Sequence, residues 1–282
     1  MIIDAHTHIF PPSISEDRSR FFSFEPAFRK LYDSPKASMV GAEELIEAMD
    51  ENRVDQAVTS GFPWQSLSTA KRANDYVLEA MARFRGRIIG LACVHPKAKD
   101  AQKEIERCLK LGMKGVGELA FYLERMDAKQ MTEAIAPIVE VCRDLRAPLL
   151  LHTNETVGHT YPGKSDVDLR EIYMLLKNIS PLTVILAHWG GGLLFYELLK
   201  KEAPDVLKNV YYDTAASPFL YREDIYSIAI QICGEEKIVF GSDYPLIPPQ
   251  RYLIEMERSG ISVETRSKIC GQNIKRILGI NE

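Results

Sequence analysis

The chain has 282 residues, of which 46% are apolar and 26% charged, and this composition can bury a sizeable hydrophobic core. Its 35 Lys and Arg are outnumbered by 39 Asp and Glu, which gives a formal charge of −4. This balance shows no basic surplus of the kind that points to binding of nucleic acid or anionic membranes. No run is long and apolar enough to predict a membrane span, and the N-terminus shows no secretory leader, so we expect a cytoplasmic protein.

Short apolar runs alternate along the chain with stretches in which apolar residues recur every three to four positions. Eight runs are predicted to form strands: Ile2–Thr7, Val54–Thr59, Ile88–Val94, Lys114–Leu119, Pro148–His152, Thr183–His188, Asn209–Asp213 and Ile238–Ser242. Eight stretches are predicted to form helices: Ala42–Asn52, Thr69–Phe84, Asp100–Leu111, Ala128–Arg146, Asp166–Ile179, Gly192–Lys201, Pro218–Ile232 and Ser262–Leu278. Most of the runs are rich in Val, Ile or Leu, as is typical of strands buried on both faces, and Asn209–Asp213 is the weakest prediction.

Eight strands alternating with eight helices predict a single-domain (β/α)8 TIM barrel across residues 1–282. The competing architecture is a doubly wound open sheet, in which two or three strands supply ligands at one switch point. Polar candidate residues end the first, fourth, fifth, sixth and eighth runs, and only a closed ring brings those ends to one centre. Two long connections, Phe10–Val40 and Thr153–Ser165, are expected on the catalytic C-terminal face of the barrel.

The cysteines are odd in number and include no CxxC pair. We therefore expect buried free thiols in a reducing compartment rather than a disulfide framework. A nucleophilic cysteine is the less favoured alternative, because none lies in a loop signature of that kind. The five are Cys93, Cys108, Cys142, Cys233 and Cys270.

The clearest functional signal is a set of metal-ligand residue types at the C-terminal ends of the strand-like runs. His6 and His8 alternate along the first run, so their side chains project from the same face, about 6–7 Å apart along the strand. That spacing allows two imidazoles to bind one cation. His152, His188 and Asp243 end the fifth, sixth and eighth runs. Ligands that arrive from distant segments are typical of an open catalytic metal site.

Two further carboxylates are placed by the same alternation of side chains along a strand. Glu118 ends the fourth run on the predicted face of Val116, where it either bridges two metal ions, contacts substrate or joins a hydrogen-bond network at the rim. Asp4 shares the predicted face of His6, and either holds a ligand imidazole or is a buried carboxylate paired within the barrel. For His188, alternation predicts the same face as Leu186.

Side chains in the loops of the catalytic face are candidates for substrate contact. Trp64 follows the second run and is predicted to form a pocket wall. His95 follows the third run, where a structural role is the favoured alternative, and His159 lies in the Thr153–Ser165 loop, where a solvated histidine is equally compatible. Three loop cations are candidates for holding a substrate carboxylate, with ordinary solvated charge as the alternative for each: Arg18, Arg20 and Lys164.

Four segments and one further residue carry a family resemblance when taken together and in order. They are Ile3-Asp4-Ala5-His6-Thr7-His8, Leu151-His152, Leu186-Ala187-His188-Trp189-Gly190-Gly191, Phe240-Gly241-Ser242-Asp243-Tyr244-Pro245, and a closing Asn273. With these segments the chain resembles the amidohydrolase superfamily of metal-dependent barrels. It is most similar to the amidohydrolase-related branch, which includes the aminocarboxymuconate semialdehyde decarboxylase group.

The resemblance implies zinc or a similar divalent ion on His6, His8, His152 and Asp243. His188 would then be a ligand of a second metal or an acid/base group. The commonest two-metal members carry a carbamylated lysine on the fourth strand, where this chain has Glu118. Members with glutamate there, such as the TatD-like hydrolases, often hold two ions, whereas the decarboxylases typically hold one. The resemblance therefore leaves one or two ions per chain as alternatives.

The leading hypothesis is a metal-dependent hydrolase of a small amide, lactone, ester or cyclic amide. In it, metal-activated water attacks the substrate, Asp243 is the general base and His188 helps to stabilise the oxyanion. The alternative is a lyase, a non-oxidative decarboxylase or hydratase of a small carboxylate, with His188 as the acid. A binding protein that keeps metal without turnover is the third hypothesis. The expected partner is a small-molecule substrate, and a homodimer is an open alternative to a monomer.

Overall fold

The computed structural model describes residues 1–280 and contains eight parallel strands that pair in chain order from β1 to β8. The strands are β1 Ile3–His8, β2 Gln56–Ser60, β3 Ile88–Ala92, β4 Gly115–Leu119, β5 Leu149–Leu151, β6 Val184–Leu186, β7 Val210–Asp213 and β8 Ile238–Val239. The ring closes where the amide of Ala5 donates to the carbonyl of Phe240 over 2.7 Å and that of His8 donates to Tyr244 over 2.8 Å. The predicted (β/α)8 barrel is confirmed, and the open-sheet alternative is wrong.

Helices lie between the strands and cover the outside of the barrel. The α-helices are α1 Pro12–Ser15, α2 Pro26–Tyr32, α3 Ala42–Glu51, α4 Leu67–Arg83, α5 Ala101–Lys110, α6 Ala128–Leu145, α7 Leu169–Ile179, α8 Tyr196–Leu199, α9 Ala203–Val206, α10 Ser217–Leu220, α11 Ile225–Cys233, α12 Pro249–Arg258, α13 Val263–Ser267 and α14 Asn273–Ile277. Side-chain caps fix several helix starts. Asp127, for example, accepts from the amide of Gln130 at the start of α6.

Three predicted helices differ from the structure. The stretch Pro218–Ile232 is divided into α10 and α11. The stretch Gly192–Lys201 contains only the short α8, because residues 189–192 all have positive φ and form a tight turn instead. The stretch Ser262–Leu278 is interrupted between α13 and α14 by a π-helical turn, Lys268–Gln272. The sequence pattern also missed α9, α12 and the two short α-helices inside the first long loop.

The barrel interior is filled by a cluster of apolar side chains drawn from six strands and α14. It comprises Ile3, Ala5, Val58, Ile89, Leu91, Leu150, Ile185, Ala187, Val239, Ile274 and Leu278. A larger cluster between the strands and the helices includes the residues of opposite phase, such as Ala57, Val116 and Leu186. Ile274 and Leu278, from α14 and the residue that follows it, close the end of the barrel opposite the ligand-bearing strand ends. The two clusters show directly which strand residues face inward.

Bulges in β1 and β4 break the simple alternation just before a ligand residue. Asp4 and Thr7 are three residues apart on β1, but the β2 residues that pair with them are only two residues apart. Likewise, Val116 and Leu119 are three residues apart on β4, whereas their partners on β5, Leu149 and Leu151, are two residues apart. An extra residue in one strand of a pair re-aims the side chains that follow it. His6 and Glu118 therefore face inward although Asp4 and Val116 do not, so the predicted shared faces are wrong.

A similar correction applies to the sixth strand. Leu186 packs in the outer cluster and Ala187 in the barrel interior, so alternation alone would turn His188 outward. His188 instead has φ of 58°, in the left-handed region that non-glycine residues seldom adopt. This backbone turn, rather than strand phase, directs its imidazole to the barrel centre.

All five cysteines are free thiols, and four of them are buried, Cys233 being the partly exposed one. This agrees with the prediction of free thiols, while the reducing cytoplasm inferred from them stays a prediction. Among residues 1–280, none of the helices combines the length and apolar character that crossing a membrane requires.

Replacing Gly117 with alanine tests the β4 bulge. Gly117 has φ of 128°, and a Cβ there would overlap the carbonyl oxygen of Leu150 on β5. We expect Gly117→Ala to lower the free energy of unfolding by about 3 kcal/mol, through backbone strain and overpacking together. Gly86→Ala is the matched control, since Gly86 has φ of 80° but open space around it, and should cost about 1 kcal/mol. Equal losses of unfolding free energy in the two variants, measured by urea unfolding, would show that the close approach of Gly117 to Leu150 is unimportant.

Candidate active site

Six side chains meet at the C-terminal end of the barrel in two groups. His6, His8 and Asp243 form the first group, and within it the ligand atoms lie within 4.8 Å of one another. The same limit holds in the second group, which contains Glu118, His152 and His188. These are the six residues that the sequence predicted as metal ligands, contributed by β1, β4 and the segments that follow β5, β6 and β8.

The first group brings three potential ligand atoms to one point. Nε2 of His6 lies 3.1 Å from Nε2 of His8, and Oδ1 of Asp243 lies 3.7 Å and 3.3 Å from these two nitrogens. Oδ2 of Asp213 accepts from Nδ1 of His6 over 2.7 Å, so Nε2 is the nitrogen that His6 presents to the group. Ligand atoms this close together need a positive charge among them, either a proton or a metal cation. The donor set therefore fits a divalent cation, in that imidazole nitrogen and carboxylate oxygen suit zinc or manganese.

Glu118 links the two groups through its two carboxylate oxygens. Oε2 lies 3.7 Å from Nε2 of His6 and 3.8 Å from Nε2 of His8. Oε1 lies 3.0 Å from Nδ1 of His152 and 3.7 Å from Nε2 of His188. Burial alone would raise the pKa of Glu118, but the imidazoles of His152 and His6 outweigh burial and hold it well below its usual range. The carboxylate is thus ionised and faces an imidazole on each side.

The electrostatics of the centre favour positive charge at its first group. Burial would lower the pKa of His6, yet the carboxylates of Asp213 and Glu118 outweigh burial and raise it well above the ordinary value. Burial also opposes ionisation of Asp243, but His8 and His6 hold its pKa below the usual value. The field that draws a proton to this group equally draws a metal cation.

His188 is held differently from the other imidazoles. Its Nδ1 lies 3.1 Å from the carbonyl oxygen of Ala215, so Nδ1 donates and Nε2 faces the centre. Its backbone amide donates to Oδ1 of Asp213 over 2.8 Å. Burial and the neighbouring His152 lower the pKa of His188, which favours its neutral form. Nε2 is therefore the atom through which this ring can take up or deliver a proton.

Asp213 is the functional residue that sequence reasoning missed. Besides His6 and His188, it accepts from the amide of Ala215 over 3.0 Å, and it is fully buried. A carboxylate in this position fixes which nitrogen of a ligand imidazole points at the metal. The available signal was an aspartate at the C-terminal end of the weakest predicted strand, β7, where the other strands carry their ligands.

Asp4 does not hold a ligand imidazole. Oδ1 of Asp4 accepts from the amide of Ser242 over 2.9 Å, and the Ser242 hydroxyl donates to Oδ2. Burial raises the pKa of Asp4 to about 7. Of the two predicted roles, the structure shows the buried carboxylate paired within the barrel, here joining β1 to the segment after β8.

An aromatic wall stands against the second group, formed by Tyr32, Phe62 and Tyr122. The rings of Phe62 and Tyr122 are parallel within 5°, with centroids 6.0 Å apart, and Tyr32 meets Phe62 edge-on at 6.0 Å. The hydroxyl oxygen of Tyr122 lies 3.5 Å from Nδ1 of His152. We did not predict these rings as site residues from the sequence, although Tyr32 lies in the long loop and Tyr122 four residues after Glu118.

The predicted substrate residues on the first loops have other positions. Trp64 has no exposed surface and packs on Phe28 and Phe62, so it supports the aromatic wall from behind and does not form a pocket surface. Arg18 donates to the carbonyls of Tyr32 and Ala37, over 3.3 Å and 2.9 Å, and so fastens the loop to itself. Two residues further on, the side chain of Arg20 is 75% exposed beside Asp17, as expected for solvated charge.

The remaining loop candidates also lie outside the six-residue cluster. His95 is buried, its Nδ1 accepts from the amide of Lys97 over 3.2 Å, and this contact supports the structural alternative. His159 is exposed and touches Tyr161 edge-on. The ammonium of Lys164 is paired with Glu155 inside its own loop at 3.0 Å. None of these three side chains is among the described residues that converge on the cation-binding groups.

Comparisons with known proteins agree with this barrel. The family model described as amidohydrolase matches residues 3–280, and the chain belongs to this family. It is 23% identical to a 2-amino-3-carboxymuconate-6-semialdehyde decarboxylase of Dictyostelium discoideum, over 99% of this chain and 92% of that protein. It is 24% identical to a gamma-resorcylate decarboxylase of a Polaromonas species, over 94% of this chain and 90% of that protein.

A solved structure shows the same architecture. The 5-carboxyvanillate decarboxylase of Novosphingobium aromaticivorans, complexed with manganese and 4-hydroxy-3-methoxy-5-nitrobenzoic acid, superposes with a TM-score of 0.76. The match covers 99% of this chain and 96% of that chain at 18% sequence identity. At this identity the likeness establishes the fold.

Substitution of Asp213 tests its hold on the metal site. In Asp213→Asn the amide nitrogen cannot accept from Nδ1 of His6, so the ring loses the contact that directs Nε2 to the centre. We expect the affinity for zinc or manganese to fall about 10- to 100-fold in chelator competition. Asp4→Asn, a change to an equally buried carboxylate two residues from His6, should leave the affinity within about threefold of wild type. An equal loss in both variants would contradict the assigned role.

Proposed function

We propose that the protein is a non-oxidative decarboxylase, a lyase acting on a small aromatic carboxylate with the help of a divalent cation. The observation that carries this proposal is the aromatic wall directly against the cation-binding cluster, with the Tyr122 hydroxyl 3.5 Å from the His152 imidazole. A flat aromatic acid can lie along such rings while its carboxylate meets the positive centre. Two relatives that match almost the whole chain are decarboxylases, which favours this function over the hydrolase first expected.

The residues of the first group, with Glu118 and His152, would hold the cation. When bound, the cation would supply positive charge for the substrate carboxylate and for an oxygen next to it on the ring. The nitrogen and oxygen donors suit zinc, the ion first expected, as well as manganese, the ion in the related structure. We therefore expect manganese or zinc to support activity.

His188 is the proposed proton carrier. Loss of carbon dioxide breaks the bond between the carboxyl carbon and the ring carbon and leaves its electron pair on the ring. A proton must take the place of the lost group. Nε2 of His188 faces the centre while the Ala215 carbonyl holds Nδ1, so the protonated ring can deliver a proton from Nε2 to that carbon.

The wall residues would orient the substrate and exclude water. Phe62 and Tyr122 present parallel faces, and Trp64 and Phe28 fix Phe62 from behind, with ring centroids 5.2 Å and 5.5 Å away. The Tyr122 hydroxyl has the His152 nitrogen as its one side-chain partner among the described residues. If that nitrogen binds the cation, the hydroxyl is released to donate to an oxygen of the substrate.

Removing the imidazole of His188 tests the proton-transfer role. We expect His188→Asn to lower the rate of carbon dioxide release about 10²- to 10⁴-fold, because general acid catalysis contributes in that range. The assay uses metal-loaded protein and a panel of benzoates with hydroxyl or amino groups beside the carboxylate. Metal content measured on the same samples separates lost proton transfer from lost metal. Undiminished release by the variant, with metal retained, would exclude His188 as the acid.

A hydrolase remains the second candidate because of one observation, the position of Glu118 between the two groups of ligands. Its two oxygens face His6 and His8 on one side and His152 and His188 on the other. A carboxylate so placed has the arrangement of a bridge between two cations. Two cations held on either side of Glu118 would supply the positive charge that activates water, and this would favour hydrolytic chemistry.

Counting ions per chain separates the two candidates. We expect wild type loaded with manganese or zinc to contain one ion by elemental analysis, and Glu118→Gln to retain one ion with lower affinity. Two ions in wild type that fall to one in Glu118→Gln would instead favour the hydrolase. The fold of the variant is checked by its unfolding transition, so that a misfolded sample is not counted as metal-free.

A further inference from the structure

The loop after β5, residues 153–165, contacts the active site through its own backbone. The carbonyl oxygen of Gly163 lies 3.0 Å from Nε2 of His152, the ring at the start of this loop. A carbonyl oxygen only accepts hydrogen bonds, so Nε2 donates to it and is not free to bind a cation. Nδ1 is then the nitrogen that faces Glu118. The loop thereby selects which nitrogen of His152 is available to the cation-binding cluster.

The base of the loop is closed by Asn154 and Ser165. Oδ1 of Asn154 accepts from the amide of Ser165 over 2.9 Å and from its hydroxyl over 2.8 Å, and Nδ2 donates to its carbonyl over 3.3 Å. Both residues are buried. These bonds bring the two ends of the loop together and return the chain to the neighbourhood of His152.

Inside the loop, an ion pair sets the position of Gly163. Nζ of the adjacent Lys164 lies 3.0 Å from Oε1 of Glu155 and 2.6 Å from the carbonyl oxygen of Val157. The hydroxyl of Tyr161 donates to Oε2 of the same Glu155 over 2.9 Å. The side chain of Lys164 is only 12% exposed, unlike an ordinary surface lysine. Its ammonium is already satisfied within the loop, which accounts for its not being free to hold a substrate carboxylate.

The same loop also abuts the turn that carries His188. A Cβ on Gly191 would overlap the carbonyl oxygen of Asn154, so only glycine allows the two backbones to approach this closely. Lys30 from the first long loop donates to the carbonyl of Lys164 over 3.0 Å. The loop after β5 is thus packed between the turn after β6 and the first long loop. Its conformation therefore affects the positions of the His152 and His188 imidazoles.

We propose that Lys164 and Glu155 are positioning residues that act on the metal centre through Gly163 and His152. Their ion pair holds the Gly163 carbonyl against Nε2 of His152 and so presents Nδ1 to the cation. Without the pair the loop can relax, and the His152 ring is free to rotate or to carry its hydrogen on the other nitrogen. This assignment concerns metal binding and holds for a decarboxylase or a hydrolase alike.

The test compares Lys164→Met with Lys97→Met in zinc-loaded protein. Lys97 forms an ion pair of the same 3.0 Å length with Glu124, but its side chain is 50% exposed and its hydrogen bonds go to Glu124 and His95, not to the loop after β5. Long-range ¹H–¹⁵N spectra of the imidazoles report which nitrogen of His152 binds zinc, and chelator competition gives the zinc affinity. We expect Lys164→Met to lose or shift the His152 signals and to bind zinc about 10-fold more weakly. Lys97→Met should match wild type in both measurements.

Two further variants, one conservative and one milder, distinguish a loss of positioning from misfolding. Lys164→Arg should restore the affinity to within about threefold, and Glu155→Gln should give an intermediate loss. Unchanged His152 signals and zinc affinity in Lys164→Met would overturn the proposal, as would wild-type spectra that show Nε2 rather than Nδ1 bound to zinc. Failure of the decarboxylase assay would leave these outcomes unaffected, so the two proposals fail separately.

Discussion

The active site depends on the buried carboxylate of Asp213, which ties the first strand to the turn after the sixth. One oxygen accepts from the His6 ring and the other from the backbone amides of His188 and Ala215. A single side chain on β7 thus fixes the nitrogen that His6 presents and the turn that aims His188. An uncompensated buried carboxylate is costly, so these three donors also stabilise Asp213 itself.

The sequence predicted the barrel and all six residues of the cluster because ligand identity and strand ends are local features. It did not predict how Glu118 and His6 come to face inward. Bulges in β1 and β4 re-aim both side chains, and a bulge depends on the register with the neighbouring strand, which the pattern of a single run does not contain. His188 faces the centre through a left-handed backbone conformation, which is likewise absent from the alternation pattern.

Loop residues were predicted less well, for a related reason. Residue type made Arg18 and Lys164 candidates for substrate, yet each is occupied by partners within its own loop. Whether a charged side chain is free depends on how the loop folds back, and that is a tertiary property. Tyr122 was missed because an aromatic residue after a strand has no distinctive sequence signal until the His152 ring is found beside it.

Decarboxylation and hydrolysis on this scaffold differ in the atom of the product that receives a proton. In the proposed decarboxylation, the ring carbon that lost carbon dioxide gains a proton from solvent by way of His188. The most direct measurement is therefore turnover of the aromatic acid panel by metal-loaded protein in D₂O, followed by mass and NMR analysis of the product. The account predicts carbon dioxide release with one deuterium at the carbon that carried the carboxylate. Hydrolysis of esters or lactones, with no deuterated arene formed from any member of the panel, would contradict it.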